Sequence, residues 1–108
     1  MDRAKLVAIA GKLFKQHGLD VSGWRLEFRN YGYLLGSCCY RRQIIALNAF
    51  HVDHNAEAIV LDTMLHEIAH ALVGPSHGHG QVWKEMARTI GCFPKACGET
   101  DILLRPGK

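Results

Sequence analysis

Residues 66–70 read His-Glu-Ile-Ala-His, and they fall within a stretch, from about residue 55 to residue 73, that has the apolar spacing of an amphipathic helix. Residues four positions apart lie on one face of a helix, so His66 and His70 can approach a single metal ion. Glu67 follows His66 directly, and its carboxylate can reach a water molecule at that ion without being a ligand. This stretch therefore predicts a helix that carries a metal site.

Zinc is the metal that this pattern indicates. Zinc with three protein ligands keeps one position open and lowers the pKa of bound water to about 7, so a carboxylate can take the water proton at neutral pH. Hydrolysis of a peptide bond suits this arrangement best, with Glu67 as the general base. The alternative from another class is a non-catalytic binding module in which zinc only orders the helix and the loop, although such a module would not need Glu67.

A third ligand has to come from outside the motif. The metzincin spacing fails, because its glycine and histidine would fall on a valine and a serine here. His77 and His79 lie just past the helix in a glycine-containing loop that can bring either imidazole back to the metal. Glu85 is a third candidate, but its basic neighbours indicate a solvent-exposed face. The two histidines are therefore favoured over Glu85.

The other periodic segments predict an α+β fold in which the metal-site helix is joined by two more helices and a small sheet. Gly74 and Gly91 follow the second and third helices directly, as is usual at a helix C-terminus. Short links indicate a sheet that is mostly antiparallel. The predicted helices cover residues 2–17, about 55–73 and 81–90, and the predicted strands cover residues 24–28, 33–39 and 43–48.

Length and composition fit one domain over residues 1–108. Hydrophobic residues make up 48% of the 108, enough to bury a core, and the formal net charge of +3 permits an anionic partner without requiring one. No apolar run approaches the length of a membrane span or of a signal peptide's hydrophobic region. We therefore expect a cytoplasmic monomer without a membrane partner, and cysteines that are not a disulfide framework.

The HEIAH motif is followed, after a short glycine-containing loop, by His79, Gly80 and Trp83. In this it resembles the SprT-like metallopeptidase domain, in which HExxH is followed by a histidine and, four residues on, an aromatic residue. The resemblance spans most of the chain. It also covers residues 24–28, 35–38 and 44–48.

The resemblance implies a minimal zincin fold and a zinc peptidase acting on protein substrates. It implies that His66, His70 and His79 bind Zn²⁺ and that Glu67 is catalytic. It also implies a link to DNA, since the eukaryotic relatives cleave proteins crosslinked to DNA.

Trp83 favours His79 over His77 as the third ligand. It comes four residues after His79 and can pack its ring under that imidazole, which would fix the orientation of the ligand. His77 would need such a side chain at position 81, where Gln81 offers no comparable surface.

The cysteines depart from the longer SprT-like proteins, many of which continue into a zinc ribbon built from two cysteine pairs. Here Cys92 and Cys97 make one pair, which cannot complete a structural zinc site. Cys38 and Cys39 are adjacent in a predicted strand and point to opposite faces, so we expect them to be packing residues.

Three further groups of residues remain, the arginines of the sheet, the tyrosines and the other histidines. Four arginines of the predicted sheet could make a basic patch, but Glu27 between two of them favours a solvated face, and no aromatic residues are interleaved with them as in single-strand binding grooves. Any of the three tyrosines could supply a hydroxyl near the reaction centre, and we expect three other histidines to lie in loops or at the surface. These residues are Arg25, Arg29, Arg41 and Arg42; Tyr31, Tyr33 and Tyr40; and His17, His51 and His54.

Overall fold

The computed structural model describes residues 1–92, which form an α+β arrangement of four helices and a three-stranded sheet. The predicted α+β fold class is confirmed. The N-terminal helix ends, and the last helix begins and ends, close to the predicted positions. The elements, in chain order, are α1 (Arg3–Gln16), β1 (Arg25–Arg29), β2 (Gly36–Cys39), β3 (Ile44–Asn48), α2 (Ala49–His54), α3 (Glu57–Val73) and α4 (Gln81–Ile90).

The core lies between the sheet and the two long helices. Asp2 caps α1 by accepting from the Ala4 amide at 3.1 Å, and the buried face of α1 repeats every four residues, as its apolar spacing predicts. Helix α3 supplies a matching apolar row from the other side. The core residues from these helices and from the central strand are Leu6, Ala10, Phe14, Ile45, Leu47, Val60, Met64 and Ile68.

The prediction of a mostly antiparallel sheet is wrong, because the strand order is β1-β3-β2 and only one of the two pairs is antiparallel. The short turn between β2 and β3 makes an antiparallel hairpin. Strand β1 pairs with the far side of β3 and runs parallel to it, so residues 30–35 must cross one end of β3 before β2 begins. This mixed topology places β2 at an edge of the sheet, where it contacts α3.

The two faces of the sheet differ in character. Leu26 and Phe28 of β1 face the core, while the residues between and beside them point to the opposite, outer face. Glu27 accepts from the Arg29 guanidinium at 2.8 Å on that outer face. The four arginines of the predicted basic patch, Arg25, Arg29, Arg41 and Arg42, are all exposed, as expected for a solvated face.

Helix α2 was not predicted from the sequence, and it contains a histidine that was expected to lie in a loop or at the surface. His51 lies in α2 and is fully buried, so the prediction that it is a surface or loop residue is wrong. The Thr63 hydroxyl donates to the Ile59 carbonyl, and its oxygen lies 2.8 Å from Nε2 of His51, from which it accepts. This hydrogen bond joins α2 to α3.

The side chain of Asn48, the last residue of β3, links the crossing segment, residues 30–35, to the sheet by hydrogen bonds. Its side-chain oxygen accepts from the amides of Phe50 and His51 and so caps α2. Its side-chain nitrogen donates to the carbonyls of Leu34 at 2.8 Å and of Tyr31 at 3.3 Å. One buried amide therefore holds the start of α2 and the segment that leads into β2.

None of the helices within residues 1–92 combines the length and the apolar character that crossing a membrane would need.

We expect Asn48→Ala to lower the free energy of unfolding by about 2 kcal/mol, because it removes a helix cap and leaves two partly buried carbonyls without their side-chain donor. Urea denaturation followed by circular dichroism measures this change. Asn30→Ala is the matched control, since Asn30 is exposed in the same crossing segment, and it should change stability by less than about 0.5 kcal/mol. Equal effects of the two substitutions would contradict the role given to Asn48.

Candidate metal centre

Three imidazoles converge at one end of α3. His66 and His70 lie one helical turn apart on α3, and His79 reaches them from the loop before α4. Nε2 of His79 lies 3.0 Å from Nε2 of His66 and 3.1 Å from Nε2 of His70. One ligand atom from each histidine lies within 4.8 Å of the other two. The three histidines that the sequence indicates as ligands are thus brought together, while their binding of a metal stays a prediction.

Two of the three separations between these nitrogens are close to those around a tetrahedral ion. With Zn–N bonds of about 2.0–2.1 Å, two nitrogens of a regular tetrahedron lie about 3.3–3.4 Å apart. The two measured separations of 3.0 and 3.1 Å are slightly shorter, so a small outward movement would admit the ion. Three histidines with one position left open are also a ligand set found in catalytic zinc sites.

A tight turn explains why His79, and not His77, points inward. The amide of Gly80 donates to the carbonyl of His77 at 2.9 Å, and Gly78 between them has φ of 52°, a left-handed value that favours glycine. The turn leaves His77 exposed and His79 half-buried against α3. Sequence spacing alone does not decide between the two histidines, and the turn geometry does.

Trp83 forms the floor of the histidine cluster. It is fully buried in the first turn of α4, and its ring centroid lies 4.6 Å from that of His66, 5.3 Å from that of His70 and 4.7 Å from that of His79. Its indole Nε1–H donates to the His66 carbonyl at 3.3 Å. The predicted packing under His79 is confirmed, and the same ring also supports the other two imidazoles.

The electrostatic environment favours the neutral form of the imidazoles on α3. Burial, followed by repulsion from His70 and His79, lowers the pKa of His66 to about 4. Burial, followed by His79, lowers the pKa of His70 to about 4. A metal binds the neutral imidazole, so both residues are in the ligand form at neutral pH.

Glu67 lies between α3 and the sheet. It is 7% exposed, and burial raises the pKa of its carboxyl to about 8. Among the described residues, the group of clustered ligand atoms contains the three histidines and not the Glu67 carboxylate. Glu67 is therefore adjacent to His66 in the helix while its carboxylate is not one of the clustered ligand atoms, and its role as a base stays a prediction.

Two residues of β2 and the turn after it, Cys38 and Tyr40, are close enough to Glu67 to be affected by its charge. The sequence indicates Tyr40 as one of three candidate hydroxyls and Cys38 as a packing residue. Burial raises the pKa of the Cys38 thiol to about 12, and the charge of Glu67 adds to this shift. Burial likewise raises the pKa of Tyr40 to about 12, with smaller contributions from Cys38 and Glu67. Cys38 lies in β2 and Tyr40 in the turn that follows it, and only the tertiary structure brings both towards α3.

The other two tyrosines are placed elsewhere. The Tyr31 hydroxyl lies 2.6 Å from the Ser37 hydroxyl, and Ser37 is on the opposite face of β2 from Cys38. Tyr33 is 78% exposed. Of the three candidate hydroxyls, that of Tyr40 is the one whose pKa is raised by burial and by the charge of Glu67.

The remaining candidate ligands lie outside the cluster. Glu85 is exposed on α4, where it accepts from the Gln81 side chain at 3.2 Å, in agreement with the predicted solvated face. Cys92 is buried against α3, and its thiol donates to the Asp62 carbonyl at 3.5 Å. Cys97 lies outside the described residues. Cys38 and Cys39 are half-buried and form no disulfide within residues 1–92, which agrees with packing roles.

Comparison with known proteins gives two similarities. A sequence model described as the SprT-like family matches residues 4–101 of this chain. Protein SprT of Proteus mirabilis (strain HI4320) is 32% identical over 69 residues, which cover 60% of this chain and 41% of that protein. The chain thus spans about two fifths of the length of this relative.

We expect purified protein to bind about one zinc per chain, and His79→Ala to weaken zinc binding by tenfold or more, because it leaves an incomplete ligand set. Competition with a chelator measures the affinity, and metal analysis gives the stoichiometry. His77→Ala is the matched control and should change the affinity little, since His77 points out of the cluster. Equal affinity of His79→Ala and wild type would contradict the assignment, and about two zincs per chain would indicate a second site that includes cysteines.

Proposed function

This chain belongs to the SprT-like family, and we propose that it is a zinc-dependent endopeptidase with a minimal zincin fold. The observation that carries the proposal is the convergence of three Nε2 atoms from α3 and the following loop, with a buried glutamate directly after the first histidine. Its substrate would be a protein, and its place of action the cytoplasm.

The histidines would hold the ion, and their surroundings would keep them in position. His66 and His70 are fixed by the helix, and His79 is fixed by the turn that precedes α4. The Trp83 ring restricts all three imidazoles and ties the helix backbone to α4 through its indole N–H. Zinc bound there would supply Lewis-acid activation of water and of the peptide carbonyl.

Glu67 would carry the proton transfers. Its carboxylate would accept a proton from the attacking water and deliver it to the amine of the leaving peptide, as a general base and then a general acid. Because burial disfavours its charged form, a cation bound nearby would stabilise the carboxylate that the first step needs. Its absence from the clustered ligand atoms supports this division of roles between Glu67 and the histidines.

We expect Glu67→Gln to retain zinc and to lose proteolysis by a factor of about a hundred or more, because the amide cannot act as a base. Cleavage of an unfolded protein, and self-cleavage, measure the activity, and metal analysis checks the zinc. Glu85→Gln is the matched control, since Glu85 is exposed on α4 and outside the cluster. If wild-type protein cleaves no unfolded protein, with or without DNA, the result contradicts the peptidase and favours the zinc-stabilised binding module.

A DNA association is a separate proposal, supported by the charges on the outer sheet face. Arg29 pairs with Glu27, and the charges of Arg25 and Arg42 also act on this carboxylate, so positive charge exceeds negative charge there. We expect a mobility shift of single- or double-stranded DNA that weakens steeply as salt rises and that Arg25→Ala with Arg42→Ala reduces. Lys15→Ala, in α1 on another part of the molecule, is the control. A shift unaffected by the arginine substitutions would refute this surface as the contact.

A further inference from the structure

Gly36, the first residue of β2, lies directly against the side chain of Glu67. A Cβ atom built at Gly36 would lie 3.3 Å from Cγ of Glu67, 3.1 Å from the Ala46 carbonyl oxygen and 3.2 Å from Cδ2 of Leu47. These contacts are tighter than most that real Cβ atoms make, so a methyl group at position 36 would push at least one neighbour away by a few tenths of an ångström. Gly36 is not among the residues with positive φ, so space and not backbone conformation favours glycine at this position.

The three neighbours differ in how freely they can move. The Ala46 carbonyl belongs to β3, which is paired on both sides. The Leu47 side chain is 0% exposed and packed in the core. Glu67 has a longer side chain with more rotatable bonds and keeps some contact with solvent. A side chain at position 36 would therefore displace Glu67 in preference to the other two.

The sheet topology makes this contact specific to Gly36. Gly36 pairs with Leu47, and Cys38 pairs with Ile45, so both face the core side of the sheet towards α3. Cys38 has a side chain and Gly36 has none, which leaves room for the Glu67 stem at the start of β2. The histidine cluster lies at the end of α3, against the loop and α4, and does not include this contact.

We propose that Gly36 is a positioning residue for Glu67: the absence of a side chain at the start of β2 sets where the carboxylate of the general base lies. This inference rests on the proposed function, since it assigns Gly36 a part in the same reaction. Gly36 is not one of the clustered ligand residues, and it would act through Glu67.

Gly36→Ala should retain zinc with the affinity of wild type and lower kcat by up to about tenfold, because its methyl group would push Glu67 by a few tenths of an ångström and the rate falls steeply when a catalytic group is misplaced. KM should change by less than about twofold, since binding of the substrate does not depend on Glu67. In a Glu67→Gln background, Gly36→Ala should lower the residual activity little, because two substitutions that act through one group are not additive. Gly11→Ala is the matched control, since a Cβ there meets no atom within 4 Å.

Thermal unfolding gives a second measurement that does not need activity. Gly36→Ala should lower Tm less in a Glu67→Ala background than in wild type, because Glu67→Ala removes the Cγ atom that the methyl group would strike. If Gly36→Ala alone fails to fold, folding of the double variant supports the inference. Failure of both variants would overturn it, since the conflict would then lie with Leu47 and the Ala46 carbonyl.

The outcomes for the inference and for the proposed function are distinct. Unchanged kcat in Gly36→Ala, or a loss of zinc affinity that accounts for the lost activity, overturns the inference and leaves the peptidase in place. An inactive wild type overturns the peptidase, and the Tm comparison then decides the inference alone: a smaller loss in the Glu67→Ala background supports steric control of Glu67, and an equal loss overturns it.

Discussion

Helix α3 packs on two sides at once, and the rest of the described structure depends on this constraint. One side buries Met64 and Ile68 against the sheet and α1, and the other buries Ala69 against Trp83 of α4. Each burial removes apolar surface from water and so stabilises the fold. The histidines lie at the edge of the second contact, where α4 and its preceding loop meet α3. The position of the cluster is thus a consequence of where two hydrophobic surfaces meet.

The polar groups placed there are costly without a ligand. Glu67 is buried where its charged form is disfavoured, and the Nε2 atoms of His66 and His70 both face that of His79. Buried polar groups of this kind often mark functional sites. A bound cation would offset the free-energy cost of burying them. Zinc binding would therefore stabilise the folded state as well as provide the chemistry, since an ion that binds the folded chain shifts the unfolding equilibrium.

The mixed sheet links the fold to the candidate base. Because β1 pairs with β3, the antiparallel hairpin leaves β2 at the edge that contacts α3. The first residue of β2, Gly36, then meets Glu67, and Asn48 at the end of β3 holds the segment that leads into β2. A mostly antiparallel meander in chain order would have put β2 in the centre of the sheet, with strands on both sides.

Features that depend on short spacings along the chain can be predicted from the amino-acid sequence. His66 and His70 share a helix face because they are four residues apart, Gly74 and Gly91 end their helices, and Trp83 lies where it can support His79. Helical periodicity is local, so these features can be predicted without knowing the partners of each element. The binding of metal and the catalytic role of Glu67 stay predictions.

The strand order, the short helix α2 with its buried His51 and the contact between Gly36 and Glu67 follow only from the tertiary structure. Strand pairing joins residues that are far apart in sequence, and alternation along a strand gives two faces without saying which one meets the core. A glycine in a strand likewise indicates a close approach without naming the atom that approaches. These outcomes depend on which surfaces pack together, and that is a property of the whole folded chain.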